Sequence, residues 1–243
     1  MAKYRHNPFD KSDWIAEKYA RQLRQLGTEI QRIVKSHDPL TISGLEAMQR
    51  ALDSYTDILK PWAIRTAKNV AEKIDIQDYA TWNKRSVDIG RNLKDVIKAT
   101  PAGEQMRDFV ERQVHYITSL PRDAGIRAQA LAIEARTGGK RPDEVMKEIY
   151  RTGEVTRSRA TLIARTEVAR AGSVLTQTRA QAIGATHYIW RTSRDKSVRH
   201  SHAQMEGVVC ELDHAPTLSD GTTTHPGQIY NCRCSMEIIV PDL

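Results

Sequence analysis

The sequence predicts an α+β protein in which a mostly helical N-terminal region precedes a small C-terminal α+β domain with a long helix and a short antiparallel sheet. Two observations support this prediction. As far as Ala182, apolar residues recur every three or four positions, which is the period of an amphipathic helix. After Gly184 the helical period ends, and short segments rich in β-forming residues follow. We place the boundary between the two regions at residues 120 and 121, giving regions 1–120 and 121–243.

Amphipathic helices account for the N-terminal region. The first predicted helix covers 13–35, and Asp38-Pro39 separates it from the next, because proline disfavours helix in the residue before it. The second begins at Ser43-Gly-Leu-Glu46, where the serine and the glutamate are spaced to cap each other's backbone N–H groups. We expect Pro61 to end this helix and a further break around residues 75–79.

A second group of helices follows, and proline and glycine mark its predicted interruptions. We expect stops at Pro121, at Gly138-Gly139 and at Gly153. Arg141-Pro142-Asp143-Glu144 has the proline and the acidic residues that favour the first turn of a helix. The long helix of the C-terminal domain is predicted over 157–183.

Three short strands are predicted after this long helix, over 187–192, 207–210 and 235–240. Between them, residues 212–228 are rich in Pro, Gly, Asp and Thr and show little periodicity. A loop of this length in a small domain is usually functional or held in place by other residues.

The charge distribution favours an acidic partner such as nucleic acid, although a modest basic excess often only confers solubility. Lys and Arg total 37 against 30 Asp and Glu, for a formal net charge of +7. Between Arg157 and Arg199 there are nine basic residues and two acidic ones. Arg159 and Arg170 lie eleven residues apart, close to three helical turns, so they share a helix face that could contact DNA phosphates. The alternative is a solvated arginine face in which Glu167 is a local ion-pair partner.

All three cysteines lie between Tyr188 and Val240, together with four of the eight histidines. His202, His225, Cys232 and Cys234 are candidate ligands for a tetrahedral zinc ion, because thiolate and imidazole are the ligands that zinc prefers. Cys210 or His200 could replace one of these four residues. The spacing Cys-x-Cys is tighter than that of most zinc motifs. A packed thiol pair or a disulfide are therefore the alternatives.

Enzyme functions have weaker support in the sequence. A metal-dependent nuclease could use Asp195 and His202, but the two-carboxylate arrangement for Mg²⁺ phosphoryl chemistry is not visible. A thiol hydrolase could pair Cys232 or Cys234 with a histidine, and nothing local marks an activated nucleophile. We therefore predict a protein that is not an enzyme. No apolar window reaches the roughly twenty residues of a membrane span, so we expect no membrane partner.

Several spaced motifs of the last third of the chain resemble one known family. They are 151–171, Trp190-Arg-Thr-Ser-Arg-Asp195, Val198-Arg199, Ser201-His202, Gly207, Pro226 and Asn231-Cys-Arg-Cys234. In this order they resemble the C-terminal domain of phage Mu F-like minor head proteins, also called phage head morphogenesis proteins. The chain departs from the common pattern at His200, where proline is frequent, and at Cys210, which is an addition.

The resemblance implies a minor component of the virion, made in the host cytoplasm during assembly and associated with the portal of a tailed phage. The resemblance implies that the predicted region 121–243 is a Mu F-like head morphogenesis domain. The partners implied are the portal protein, capsid or scaffold components and double-stranded DNA. The alternative function is a DNA-binding packaging or ejection factor that uses Arg159 and Arg170.

Overall fold

The structure is a computed structural model that describes residues 13–88, 93–100, 102–137 and 141–241. The predicted stop at Gly138-Gly139 lies outside these residues. The elements, in chain order, are α1 (Asp13–Lys35), α2 (Ile42–Asp88), α3 (Lys94–Ala99), α4 (Gly103–Thr137), α5 (Pro142–Tyr150), α6 (Thr152–Ala182), β1 (His187–Arg191), α7 (His200–Ala203), β2 (Val209–Glu211) and β3 (Ser235–Ile238). The predicted α+β fold, with long helices before a short sheet, is confirmed.

The described chain divides into two compact units. The first takes its residues from Met1–Ala16, Asn69–Phe109 and Arg165–Leu243, and the second from Glu17–Lys68 and Val110–Ala164. The unit boundaries fall within α1, α2, α4 and α6. The predicted division into 1–120 and 121–243 follows another criterion, the sequence motifs, and stays a prediction.

The described residues of the second unit form helices joined by short turns, and its core follows the predicted period. Buried residues of α1 recur at Tyr19, Leu23, Leu26 and Ile30, so one face of this helix is apolar. The hydroxyl of Tyr19 donates to Gln113 Oε1 at 3.1 Å, which satisfies two buried polar groups. The sequence pattern of α1 therefore predicts both its length and its buried face.

Two prolines that we expected to end helices lie inside them instead. Pro61 is in α2 and Pro121 is in α4, and α2 also continues through the predicted break at 75–79. An interior proline removes one backbone hydrogen bond and costs about 3 kcal/mol. Buried apolar residues continue on both sides of each proline, as Leu59 and Ala63 do around Pro61, and we attribute the continuity of both helices to this burial.

The glycine expected to end a helix at residue 153 has a packing role. Gly153 is the second residue of α6, and a Cβ placed there would lie 2.4 Å from the Cβ of Gln31. Only glycine allows α1 and α6 to approach so closely at this point. At the start of α2, Thr41 replaces the predicted Ser43 as the cap, since its Oγ1 accepts from the Gly44 N–H at 3.1 Å.

The first unit contains the sheet, whose strand order is β2-β1-β3 with both pairs antiparallel. In β1, Tyr188 and Trp190 point to the buried face, and Trp190 lies opposite Met236 of β3. This face packs against Trp82 of α2 and against Ala180 near the end of α6 in one apolar core. The three predicted strands are thus confirmed, with β2 shifted to Val209–Glu211.

Among the described residues, no helix combines the length and the apolar character needed to span a membrane.

Candidate functional site

A buried group of one imidazole and two thiols lies beside the sheet. His202 belongs to α7, while Cys232 and Cys234 lie in the turn that leads into β3. The Nδ1 atom of His202 is 3.4 Å from the Sγ of Cys234 and 3.5 Å from the Sγ of Cys232. The three side-chain atoms lie within 4.8 Å of one another. We call these three residues the Cys-His cluster.

Contacts between nearby side chains and backbone groups hold α7 against the turn that carries the cysteines. The guanidinium of Arg199 donates to the backbone oxygen of Tyr230 at 2.9 Å and lies over its ring, 4.5 Å from the centroid. Arg233 pairs with Asp195 at 2.6 Å. Asn231 adopts a left-handed conformation with φ +52°, which asparagine tolerates better than most residues. These contacts bring His202 to the cysteines across about thirty residues of sequence.

The two thiols of the cluster differ in their electrostatics. Hydrogen bonds to the Cys232 sulfur from the Cys234 thiol, and from the backbone N–H groups of Cys234 and Gly227, lower the pKa of Cys232 to about 5. The hydrogen bond with Cys232 raises the pKa of Cys234, and burial raises it further. These hydrogen bonds therefore favour the thiolate form of Cys232 over that of Cys234, and the thiolate is the form in which sulfur binds a metal.

Only one of the two ring nitrogens of His202 has a polar contact among the described residues. Its ring meets the ring of Trp190 edge-on, with centroids 5.5 Å apart and planes at 89°. Its Nδ1 faces the two sulfurs, and its Nε2 is buried without a hydrogen-bond partner among the described residues. The orientation of the ring therefore depends on Trp190 and on what Nδ1 binds.

The structure does not bring the predicted ligand His225 into the Cys-His cluster. The Nδ1 of His225 lies 2.9 Å from the hydroxyl of Tyr188, and its Nε2 lies 3.5 Å from the amide nitrogen of Gln177. Burial lowers the pKa of His225 below its ordinary value of 6.5. Both ring nitrogens thus face protein groups, and the neutral imidazole is favoured.

The third cysteine also lies apart from the cluster. Cys210 is on β2, its sulfur is 3.8 Å from the backbone oxygen of Val208, and burial raises the pKa of its thiol. All three cysteines are free thiols. Cys210 is therefore a natural control for experiments on Cys232 and Cys234.

The long loop between β2 and β3 is held in place along its length, as expected for a loop of this size. Ser201 of α7 donates to the carboxylate of Asp220 at 2.8 Å, and Ser173 of α6 donates to the backbone oxygen of Pro226 at 2.7 Å. Thr217 and Thr223 face each other in an isolated antiparallel bridge. The loop therefore has a defined path that leads to the cluster.

The two arginines predicted to contact DNA each pair with protein groups. In the second unit, Arg159 forms an ion pair with Asp123 at 2.6 Å, and its side chain is 45% exposed. In the first unit, Arg170 pairs with Glu167 at 3.3 Å and donates to the backbone oxygen of Gln228 at 3.0 Å. The predicted partnership of Glu167 and Arg170 is therefore present.

A buried polar network between α2 and α6 within the first unit has no local signal in the sequence. Arg179 contacts Asp78 at 2.6 Å and Asp75 at 2.7 Å, and Thr176 donates to Asp78 at 2.6 Å. Asp78 and Arg179 are both buried. About a hundred residues separate the partners in sequence, and only the fold shows that they meet.

The fold and the cluster define a class of protein: a long-helix protein whose C-terminal part ends in a three-stranded sheet beside a buried Cys-His cluster. Residues 127–237 match the model of the family described as phage Mu protein F like protein. The resemblance that the sequence motifs predicted is confirmed for this region.

Comparison with curated proteins gives one relative from Haemophilus influenzae whose printed description is "Uncharacterized protein". It is 27% identical over 198 residues, which cover 78% of this chain. The aligned part is 42% of that protein, so the chain spans less than half the length of this curated relative. No solved structure matches the chain.

Proposed function

We propose that the protein is a minor head protein of a tailed phage, present in the virion and associated with the portal during head assembly. The observation that carries this proposal is the family match over residues 127–237, in which the spaced motifs occur in one order. Its partners are the portal protein and capsid or scaffold components. We propose a structural role and not an enzymatic one.

The contacts of the motif residues support a structural role. Asp195 pairs with Arg233, Arg199 binds the Tyr230 carbonyl, and the Asn231 N–H donates to Thr166 Oγ1 at 3.1 Å. These residues fasten α6, α7 and the turn before β3 to one another. The Cys-His cluster contains no carboxylate, so it does not provide the acidic ligands of a Mg²⁺ nuclease.

Portal association is tested by co-expressing the full chain with the portal protein of the same phage. We expect the tagged chain to purify with the assembled portal and to remain with it during gel filtration. A portal protein from an unrelated phage provides the specificity control. If both proteins are folded and the complex is absent, the portal assignment is wrong.

A nonsense mutation in the gene tests the wider assignment to head assembly. We expect infectious particles to fall sharply, with full recovery when the chain is supplied in trans. Mass spectrometry of purified wild-type virions should detect the chain at low copy number. Normal particle yield from the mutant, together with virions that lack the chain, would contradict a head function.

DNA contact is a second candidate because the chain is basic, with a pI of about 9.4. The ion pair of Arg159 is partly exposed, and exposed pairs are worth only about 0–1 kcal/mol. Phosphate groups could therefore replace Asp123 at little cost. The salt dependence of duplex binding tests this candidate.

A further inference from the structure

We propose that the Cys-His cluster binds one Zn²⁺ ion through the Nδ1 of His202 and the Sγ atoms of Cys232 and Cys234. The ion would join α7 to the turn before β3. This inference rests on the cluster alone and does not depend on the proposed role in the phage head.

The distances within the cluster agree with a tetrahedral zinc ion. With Zn–S near 2.3 Å and Zn–N near 2.0–2.1 Å, tetrahedral angles place a sulfur and a nitrogen ligand about 3.6 Å apart. The two N···S distances in the cluster are 3.4 and 3.5 Å. The His202 nitrogen is therefore already at the spacing from each sulfur that the ion requires, and all three ligand atoms lie within 4.8 Å of one another.

The equal distances favour a shared ion over a simple hydrogen bond. An imidazole N–H points along one direction and is strongest towards a single acceptor. Here one nitrogen, Nδ1 of His202, lies almost equally far from two sulfurs. A metal ion at the centre of the three atoms explains this arrangement, because all three ligands then point at one position.

The surroundings of the cluster also suit a buried metal site. His202 and Cys232 are 2% and 3% exposed, so solvent is kept away from both ligands. The backbone N–H of Gly227 donates to the Cys232 sulfur at 3.3 Å, a contact outside the ligand shell that orients a thiolate. The edge-on contact with Trp190 fixes the plane of the imidazole.

The ligand types select zinc over the hard divalent cations. Ca²⁺ and Mg²⁺ prefer oxygen ligands, whereas thiolate with imidazole suits zinc. Three protein ligands leave one tetrahedral position for a water molecule, since no fourth His, Cys, Asp or Glu among the described residues joins the group. His225 is excluded from the set because its nitrogens face Tyr188 and Gln177.

Metal content of the full-length protein is the direct test. The chain is purified under reducing conditions, dialysed against a weak chelator and analysed by mass spectrometry for zinc per chain. We expect about one equivalent in the wild type and at least a tenfold loss in Cys232→Ser, Cys234→Ser and His202→Asn. The matched controls Cys210→Ser and His225→Gln should keep the full equivalent.

Thiol accessibility of the folded wild-type protein keeps the test decisive if a ligand variant fails to fold. We expect Cys232 and Cys234 to react with a thiol reagent only after a strong chelator removes the metal, and Cys210→Ser should show the same two protected thiols. Replacement of zinc by Co²⁺ should give a thiolate-to-cobalt charge-transfer band and the intense visible bands of tetrahedral coordination.

Several results would overturn the proposal. One is a reduced, folded wild type that holds no zinc above background after incubation with zinc and dialysis. Another is zinc retained in folded Cys234→Ser or lost in folded His225→Gln. If the chelator leaves thiol reactivity unchanged, or if the two cysteines are isolated as a disulfide under reducing conditions, the cluster is a packed or oxidised thiol pair and not a metal site.

Discussion

Gly227 has a left-handed backbone at the point where the long loop meets the Cys-His cluster. Its φ is +82°, and a Cβ there would lie 3.2 Å from Ser173 Cβ and 3.3 Å from the carbonyl oxygens of Ala169 and Cys234. We expect Gly227→Ala to lower the free energy of unfolding by about 2–4 kcal/mol, because backbone strain and crowding add. Urea denaturation followed by circular dichroism measures the change.

Gly221 is the matched control for this substitution. Its φ is +81°, but a Cβ there would meet no atom within 4 Å. Gly221→Ala should therefore cost only the left-handed backbone term of about 1–2 kcal/mol. Equal losses in both variants would show that crowding against α6 contributes nothing at Gly227.

His225 makes stability depend on pH. Because burial lowers its pKa in the folded protein, the unfolded chain takes up a proton below about 6.5 more readily than the native chain does. The free energy of unfolding should therefore fall as the pH drops below 6.5, until the folded pKa is reached. A protonated ring would also turn a second N–H towards the donor Gln177.

Comparison with His225→Gln isolates this effect. Both proteins are denatured with urea at several pH values between about 5 and 8, with a chelator present so that metal binding does not contribute. We expect the wild type to lose stability on acidification more steeply than the variant. Parallel curves would mean that His225 has the same pKa in the folded and unfolded chain.

At the residue scale, the sequence predicts three of the four residues that were expected to lie together at the site. His202, Cys232 and Cys234 were expected to meet, and they do. His225 was grouped with them because its side chain is of the right type. The ring nitrogens of His225 contact Tyr188 and Gln177 instead, which lie 37 and 48 residues away in sequence. Only the fold shows that these two side chains take the place of a metal ion at His225.

At the scale of the elements, the two interior prolines show where local rules stop being sufficient. A local rule applied to Pro61 or Pro121 considers only the backbone hydrogen bond that the proline removes from the helix. The buried apolar residues on both sides of each proline depend on the neighbouring helices, and those are not visible in a local window. The start of α5 at Pro142 was predicted correctly, because a proline in the first turn involves only local geometry.

The buried ion pair between α2 and α6 in the first unit should be essential for stability. The side chains of Asp78 and Arg179 are 6% and 5% exposed. Removal of one partner leaves a buried charge without compensation, so Arg179→Met should lower the free energy of unfolding by about 3–5 kcal/mol. Chemical denaturation measures the loss.

Two further variants show whether the loss of stability comes from the unpaired buried charge. Asp78→Asn combined with Arg179→Met removes both charges, and we expect the double variant to be more stable than Arg179→Met alone. Arg32→Met removes an arginine from the exposed pair with Glu29 and should change stability little. If Arg179→Met behaves like Arg32→Met, the pair does not hold α2 and α6 together.

At the scale of the whole molecule, the change of period near Gly184 was enough to predict the α+β class and the three strands. Both signals are local, since they depend on the spacing of apolar and β-branched residues along the chain. The two compact units cannot be predicted from such local signals, because each unit combines segments that lie far apart in sequence. Such groupings depend on which helix faces meet, and the local spacing of residues does not show this.

The net positive charge leads to the final prediction, which concerns binding of the full chain to duplex DNA. We expect salt-sensitive binding in which the logarithm of affinity falls linearly with the logarithm of salt concentration. Arg159→Gln and Arg170→Gln should each weaken binding and reduce the slope by about one. Fluorescence anisotropy with a labelled duplex at several salt concentrations measures both quantities.

The ion-pair partners of these arginines make the experiment specific. Asp123→Asn frees Arg159 from its carboxylate and should therefore strengthen binding if Arg159 contacts a phosphate. Arg32→Gln removes the same charge from an exposed position of α1 and serves as the control for net charge. Equal weakening in the three arginine variants would reduce the effect to overall charge, whereas a flat response to salt would remove DNA from the partners of this protein.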